Sequence, residues 1–161
     1  MTALPERPTT KDDVLPSGAR LCFACGDDNP IGLHLDDIRR EGEEVYATLR
    51  PRADYQSYPG VLHGGISATA LDELMGWSAI LLAGIWAATA TMEVRYRAQI
   101  PIDGELTLVA GISSDSGGRR MRAWARLLLP DGRVGAEATG LLVALPEPMA
   151  SRARELYGPL V

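Results

Sequence analysis

The chain has 161 residues, 46% of them hydrophobic and 23% charged, with a formal net charge of −5. That length buries a sizeable core without disulfide or metal staples, and the acidic balance argues against tight binding of nucleic acid or anionic lipid. All basic residues but Lys11 are Arg, and only residues 111–161 carry a positive excess.

Residues 1–20 contain no apolar run of the kind a secretory leader needs, which predicts a cytoplasmic protein opening on an irregular arm. Residues 21–33, LCFACGDDNPIGL, are punctuated by Gly, Asp, Asn and Pro and read as a loop. Two strands follow at 33–39 and 43–50, turning at Glu41-Gly42. After an irregular stretch from Pro51 to Gly60, His63-Gly64-Gly65 opens ISATALDELMGWSAILLAG, rich in Ala, Leu and Met. This predicts the only long helix, over 64–83, with Gly84 as its stop.

From there the period falls to two. Within 87–98, Thr89, Thr91, Glu93, Arg95 and Arg97 alternate with Ala90, Met92, Val94 and Tyr96. Strands at 104–113, 119–129 and 133–145 continue as a four-stranded meander. Asp103-Gly104, Ser116-Gly117-Gly118 and Asp131-Gly132 would be its hairpin turns. A short amphipathic helix at 147–157 closes the chain. No repeat or linker divides residues 21–161, which read as one domain.

Between Glu73 and Glu93 lie 19 uncharged residues, close to a membrane-spanning length. Ser78, Thr89, Thr91 and two glycines interrupt them, and no Lys or Arg flanks them. A buried helix followed by a strand accounts for the run, so no membrane association is expected. The element order gives an α+β fold, one helix against an antiparallel sheet. A helix with so few charges would wet its outer side if left alone, which points to a dimer or larger assembly.

The densest chemical signal is Tyr58-Pro59-Gly60-Val61-Leu62-His63-Gly64-Gly65, running into a helix that carries Asp72 and Glu73. Unpaired backbone N–H groups at a helix start can polarise a carbonyl or hold an oxyanion, and glycine lets the ligand approach. Asp72 has Ala68, Thr69, Met75 and Gly76 one turn away. A carboxylate in such a weakly polar stripe makes a better general base.

PGVLHGG, an Asp nine residues after the His, and a strand ending Tyr96-Arg97-Ala98-Gln99-Ile100-Pro101 resemble the hotdog-fold acyl-CoA thioesterases of the PaaI-like group. Upstream, CFACGDDNPIGLHL is similar to a CFxCGxxNPxGL segment of many bacterial members, so the resemblance spans residues 22 to about 145. It implies an antiparallel sheet wrapped around one long central helix, and hydrolysis of an acyl-CoA or related acyl thioester. Gly64 would donate its N–H to the thioester carbonyl, with Gly65 beside it and His63 shaping the carbonyl site. Asp72 would be general base or nucleophile, and Thr89 would orient the attacking water. A related branch of the fold uses a Glu on this helix, which keeps Glu73 a candidate. Where members place Asn or Gln six residues before the His, this chain has Ser57, preceded by Gln56. Arg95 and Arg97 are candidates for coenzyme A phosphates. The resemblance further implies a homodimer or homotetramer with sites between subunits, and no cofactor or metal.

Two other readings compete. Gly26-Asp27-Asp28-Asn29-Pro30-Ile31 is similar to the GDxNPxH motif of hotdog enoyl-CoA hydratases, but Gly32 stands where the His should be and His34 follows two residues later. A non-catalytic acyl-CoA-binding hotdog module is the second, and it would leave Asp72 idle. Cys22 and Cys25 have the spacing of half a zinc knuckle, but no second pair completes it, and they read as loop cysteines without function. Arg119, Arg120, Arg122 and Arg126 read as a solvated sheet face, and Met75, Trp77 and Trp86 as core or acyl-pocket lining.

Overall fold

The computed structural model describes residues 7–15, 20–115, 117–158 and 160. Helix α1 (Lys11–Val14) precedes strands β1 (Asp36–Glu41) and β2 (Glu44–Leu49). Helix α2 (Gly64–Ser78) continues through a π-helical turn, Ala79–Ala83, and stops at Gly84, whose φ of 69° is left-handed. Strands β3 (Ala87–Tyr96), β4 (Leu106–Asp115), β5 (Arg120–Leu128) and β6 (Val134–Ala144) follow, then helix α3 (Glu147–Tyr157). The long helix and five of the six strands lie close to where the sequence pattern puts them, and this is the hotdog architecture it implied; the first strand runs 36–41 rather than 33–39, because the Leu33 and Leu35 N–H groups bond the Phe23 and Ala24 carbonyls of the preceding loop.

The sheet is antiparallel in the order β1-β2-β4-β5-β6-β3. That corrects the meander. Only β4, β5 and β6 are joined as successive hairpins. Strand β3 leaves its sequence neighbour and pairs with β6 at the far edge, so Asp103-Gly104 is not a hairpin turn. The chain between β3 and β4 crosses beside the start of α2, where the Leu62 N–H donates to the Ile100 carbonyl at 2.8 Å. Ser116 of the Ser-Gly-Gly turn lies outside the described residues, while Gly117 and Gly118 have φ of 82° and 93°.

Packing explains the arrangement. Ala70, Leu71, Leu74 and Met75 of α2 are fully buried, as are Leu106, Leu108 and Ala110 of β4 and Ala125 and Leu127 of β5. Each buried Leu or Met removes enough apolar surface from water to stabilise the fold by roughly 1.5–3 kcal/mol. Gly140 of β6 makes room for this helix: a Cβ there would lie 3.1 Å from the Met75 Cε and 2.9 Å from the Thr91 carbonyl oxygen. By length and composition the helical segment Gly64–Ala83 could cross a membrane. Here it is the inner element around which the sheet curls.

The opening arm is not wholly irregular. Residues 1–6 and 16–19 lie outside the described residues. Between them Thr10 and Asp13 form a capping box that starts α1. Lys11 is buried, its Nζ reaching Asp27 Oδ1 at 2.8 Å and the carbonyl oxygens of Cys25 and Leu35 at 3.2 and 3.4 Å. One short turn thereby organises the whole 20–35 loop.

Candidate active site

The start of α2 is shaped by His63, the N-cap, whose Nδ1 accepts the Gly65 N–H at 2.9 Å. That bond places the proton of a neutral imidazole on Nε2. The Ile66 and Ser67 N–H groups go to the His63 carbonyl. Among the described residues the Gly64 N–H makes no hydrogen bond, so it is the spare donor at the positive end of the helix. Tyr96, at the end of β3, donates its hydroxyl to the Gly64 carbonyl at 2.8 Å and lies against the glycine's α-carbon. Glycine fits here because a Cβ would meet the Tyr96 ring at 3.2 Å.

Gln56 and Ser57 sit in the loop that delivers this helix start. Gln56 Oε1 accepts the Gly60 N–H at 3.1 Å, and the Ser57 N–H donates to the Val61 carbonyl at 2.9 Å. With its oxygen already accepting one bond in the turn, the Gln56 amide keeps both of its N–H donors.

Two turns further along α2 lies a second cluster. A cleft of about 380 Å³ is lined by Asp72, Glu73, Gly76, Trp77, Trp86 and Thr89, and by Cys22 and Cys25 from the loop. Met75 is instead fully buried core. Thr89 reaches the cleft through an irregularity that strict alternation hides. Alternation would set it beside Arg95 on the outer face. The register of β3 against β6 slips between Thr89 and Thr91, leaving Ala90 as a bulge. Thr89 then pairs with Leu142 and Met92 with Gly140, both on the helix side. One extra residue flips the strand's facing, so Thr89 shares a cleft with Asp72.

Arg95 and Arg97 stay outside. Arg95 Nε binds Glu93 at 2.8 Å and Arg97 Nε binds Glu137 at 2.9 Å, on the outer face of the sheet. Arg126 stacks over Trp124 on that face, with 5.0 Å from guanidinium to ring centroid. Arg120 and Arg122 are exposed there as well. The hydratase-like residues are also elsewhere. Asp27 is paired with Lys11 and Arg20, and His34 Nε2 meets the Asn29 carbonyl at 2.5 Å.

Spacing did not reveal what faces Glu73. Its carboxylate accepts the Trp77 Nε1–H at 3.1 Å and the Cys22 thiol at 3.4 Å. Burial, then the facing Cys22 sulfur, push the Glu73 carboxyl up to about 7. A hydrogen bond from the Cys25 thiol, with the N–H groups of Cys25 and Ala24, holds the Cys22 thiol down near 5. That same bond, together with burial, pushes Cys25 up. Of the two carboxylates on the helix, it is Glu73 rather than Asp72 that touches the cysteine loop.

A six-stranded antiparallel sheet curled about one long helix, with a glycine helix start and a helix carboxylate two turns on, defines a hotdog domain. Residues 59–134 match the family model of the thioesterase superfamily. Together, fold and match show a hotdog-fold domain that resembles the thioesterase superfamily over part of its length and is similar in fold to PaaI. Among solved structures it is similar to protein RHA08564, a thioesterase superfamily protein, with 27% identity and a TM-score of 0.70 over 88% of this chain and 68% of that one. It is also similar to smu.793 from Streptococcus mutans UA159, solved bound to acetyl CoA, at 21% identity and TM-score 0.63 over 69% and 88% of the two chains. The E. coli PaaI protein from the phenylacetic acid degradation operon is 15% identical, with TM-score 0.65 over 71% and 81%. These last two likenesses are of fold. No curated protein matches the sequence.

Proposed function

We propose that the protein hydrolyses an acyl-CoA or related acyl thioester to the carboxylic acid and free thiol, in a homo-oligomer whose sites lie between protomers. The observation that carries this reading is one helix that presents an unengaged Gly64 N–H at its capped start and, two turns on, Asp72 in a cleft shared with Thr89. The N–H polarises a carbonyl, and Asp72 and Thr89 activate and orient a water. Similarity to a structure holding acetyl CoA supports the substrate class.

The geometry argues for two chains. Gly64 and Asp72 are eight residues apart on one helix, about 12 Å along its axis at 1.5 Å per residue. One carbonyl carbon cannot contact both. Strand β3 is a ten-residue edge strand, hydrogen-bonded to β6 on one side only. A long open edge invites pairing, and a two-fold axis beside β3 would join two sheets and bring the helices together antiparallel. The Gly64 end of one α2 then lies by Asp72 of the other.

In that arrangement Asp72 takes a proton from the water as its oxygen attacks the carbonyl carbon. Gly64 N–H, with the dipole of α2 behind it, stabilises the oxyanion. The C–S bond breaks and the proton passes to the leaving thiolate. Trp77, Trp86 and the Ala87-Ala88 stretch give the acyl group an apolar wall. Thiol release measured over short, long and aromatic acyl-CoAs tests the reading: at least one class is turned over, and no release from any would overturn it.

A further inference from the structure

The loop that carries Cys22 and Cys25 is built to hold both sulfurs toward α2. Its Gly26 N–H donates to the Cys22 carbonyl at 2.9 Å. A Cβ at Gly26 would fall 2.3 Å from the Arg20 carbonyl oxygen and 2.5 Å from that of Cys22, so only glycine closes the loop. From the other side Lys11 Nζ fastens the Cys25 carbonyl. The Cys22 sulfur, the Cys25 sulfur and a Glu73 oxygen all lie within 4.8 Å of one another. Cys22 Sγ and Glu73 Oε1 are 3.4 Å apart. Zinc bonds of about 2.3 Å to sulfur and about 2.0 Å to oxygen, set at a tetrahedral angle, require an S···O edge of about 3.5 Å.

We propose that Cys22, Cys25 and Glu73 form a mononuclear zinc site, with water in a fourth position facing the cleft. Two thiolates select zinc over magnesium or calcium, and a single CxxC with one carboxylate is too few sulfurs for an iron–sulfur cluster. A Cys22–Cys25 disulfide would use the sulfurs but strand the Glu73 carboxylate against them. The metal uses all three groups, leaving a net charge of −1 on the site, with the thiol protons released to solvent on binding. Trp77 Nε1–H donates at 3.1 Å to the same Glu73 oxygen that faces Cys22, and so holds the carboxylate in place. The sequence concealed this site because its third ligand lies 48 residues from Cys25, on the helix.

The test uses the full chain, reduced and stripped with a chelator, and reads metal binding rather than hydrolysis, so it stands apart from the fate of the thioesterase reading. Zinc titration should give one ion per chain with proton release. Cobalt(II) in its place should produce sulfur-to-cobalt charge-transfer absorption. Cys22→Ser and Cys25→Ser should lose stoichiometric binding. Glu73→Gln should keep the thiolate band but bind zinc more weakly by at least the ten- to hundredfold that loss of an outer-shell partner costs. The wild-type cobalt spectrum decides alone if the cysteine variants do not fold. Substoichiometric zinc, a cobalt spectrum without thiolate bands, undiminished affinity in folded Glu73→Gln, or a Cys22–Cys25 disulfide persisting with zinc present would each overturn the proposal.

Discussion

Replacing Gly64 by Ala sets a methyl group beside the one spare N–H at the start of α2. The new Cβ would lie 3.2 Å from Tyr96 Cζ and 3.3 Å from its hydroxyl oxygen. Those contacts are a few tenths of an ångström too close, and the Tyr96 ring, 54% exposed, can move to relieve them. Its 2.8 Å bond to the Gly64 carbonyl is the part at risk. An exposed hydrogen bond of this kind is worth about 1 kcal/mol, and the gain in helix propensity from Gly to Ala is at most about 1 kcal/mol. The two nearly cancel, so the melting temperature should stay within about 4 °C of wild type. Activity should respond differently. Loss of one oxyanion donor costs about 10²–10³ in turnover, and a methyl that displaces the carbonyl should reach the lower end, about a hundredfold. Steady-state thiol release and a circular dichroism melt, run together, separate the two effects. Tyr96→Phe is the control: it removes the hydroxyl bond and keeps the N–H, so turnover should stay close to wild type. A folded Gly64→Ala protein with unchanged turnover would refute the role of this N–H. So would a Tyr96→Phe protein as impaired as Gly64→Ala.

Asp72→Asn keeps the side chain's shape but cannot accept a proton, so hydrolysis should fall by about 10²–10⁴ while acyl-CoA binding persists, with Glu73→Gln losing less. The reverse order in kinetics and binding assays would move the base by one residue. Sedimentation should find a dimer or tetramer, and a fully active monomer would rule out the shared site. A Cβ at Gly76 meets nothing within 4 Å, so Gly76→Ala should stabilise α2 by about 0.8–1 kcal/mol in chemical denaturation. Gly76→Leu should fill the cleft beside Asp72 and cut kcat/KM with the fold intact; equal kcat/KM would mean that the acyl group binds elsewhere.

Element type was readable from periodicity because each segment had one dominant partner. The helix needed only its Ala- and Leu-rich run and Gly84, and α3 fell on 147–157 as the pattern indicated. What alternation cannot encode is which strand a strand pairs with. The jump of β3 to β6 is a long-range contact satisfied by Met92 and Val94 packing on the helix, and a hairpin-like Asp-Gly dipeptide does not reveal it. The resemblance singles out Thr89, yet its place in the cleft depends on the Ala90 bulge, which sets two residues of β3 against one on β6. At the site, Gly64 and Asp72 were visible as a spacing within one helix. The Glu73–Cys22 contact was not, since it joins a loop read as idle to a helix residue kept only as an alternative. Helix α1 escaped because four residues are too few to show a period, although Thr10 and Asp13 spelled its cap.

Mixing two inactive variants tests the shared thioester-hydrolysing site most directly. Gly64→Ala and Asp72→Asn, co-expressed with different tags, form heterodimers in which one site carries both substitutions and the other neither. If each site takes its N–H from one protomer and its carboxylate from the partner, random pairing restores about a quarter of wild-type thiol release. Heterodimers that form but release thiol no faster than either variant alone would contradict it.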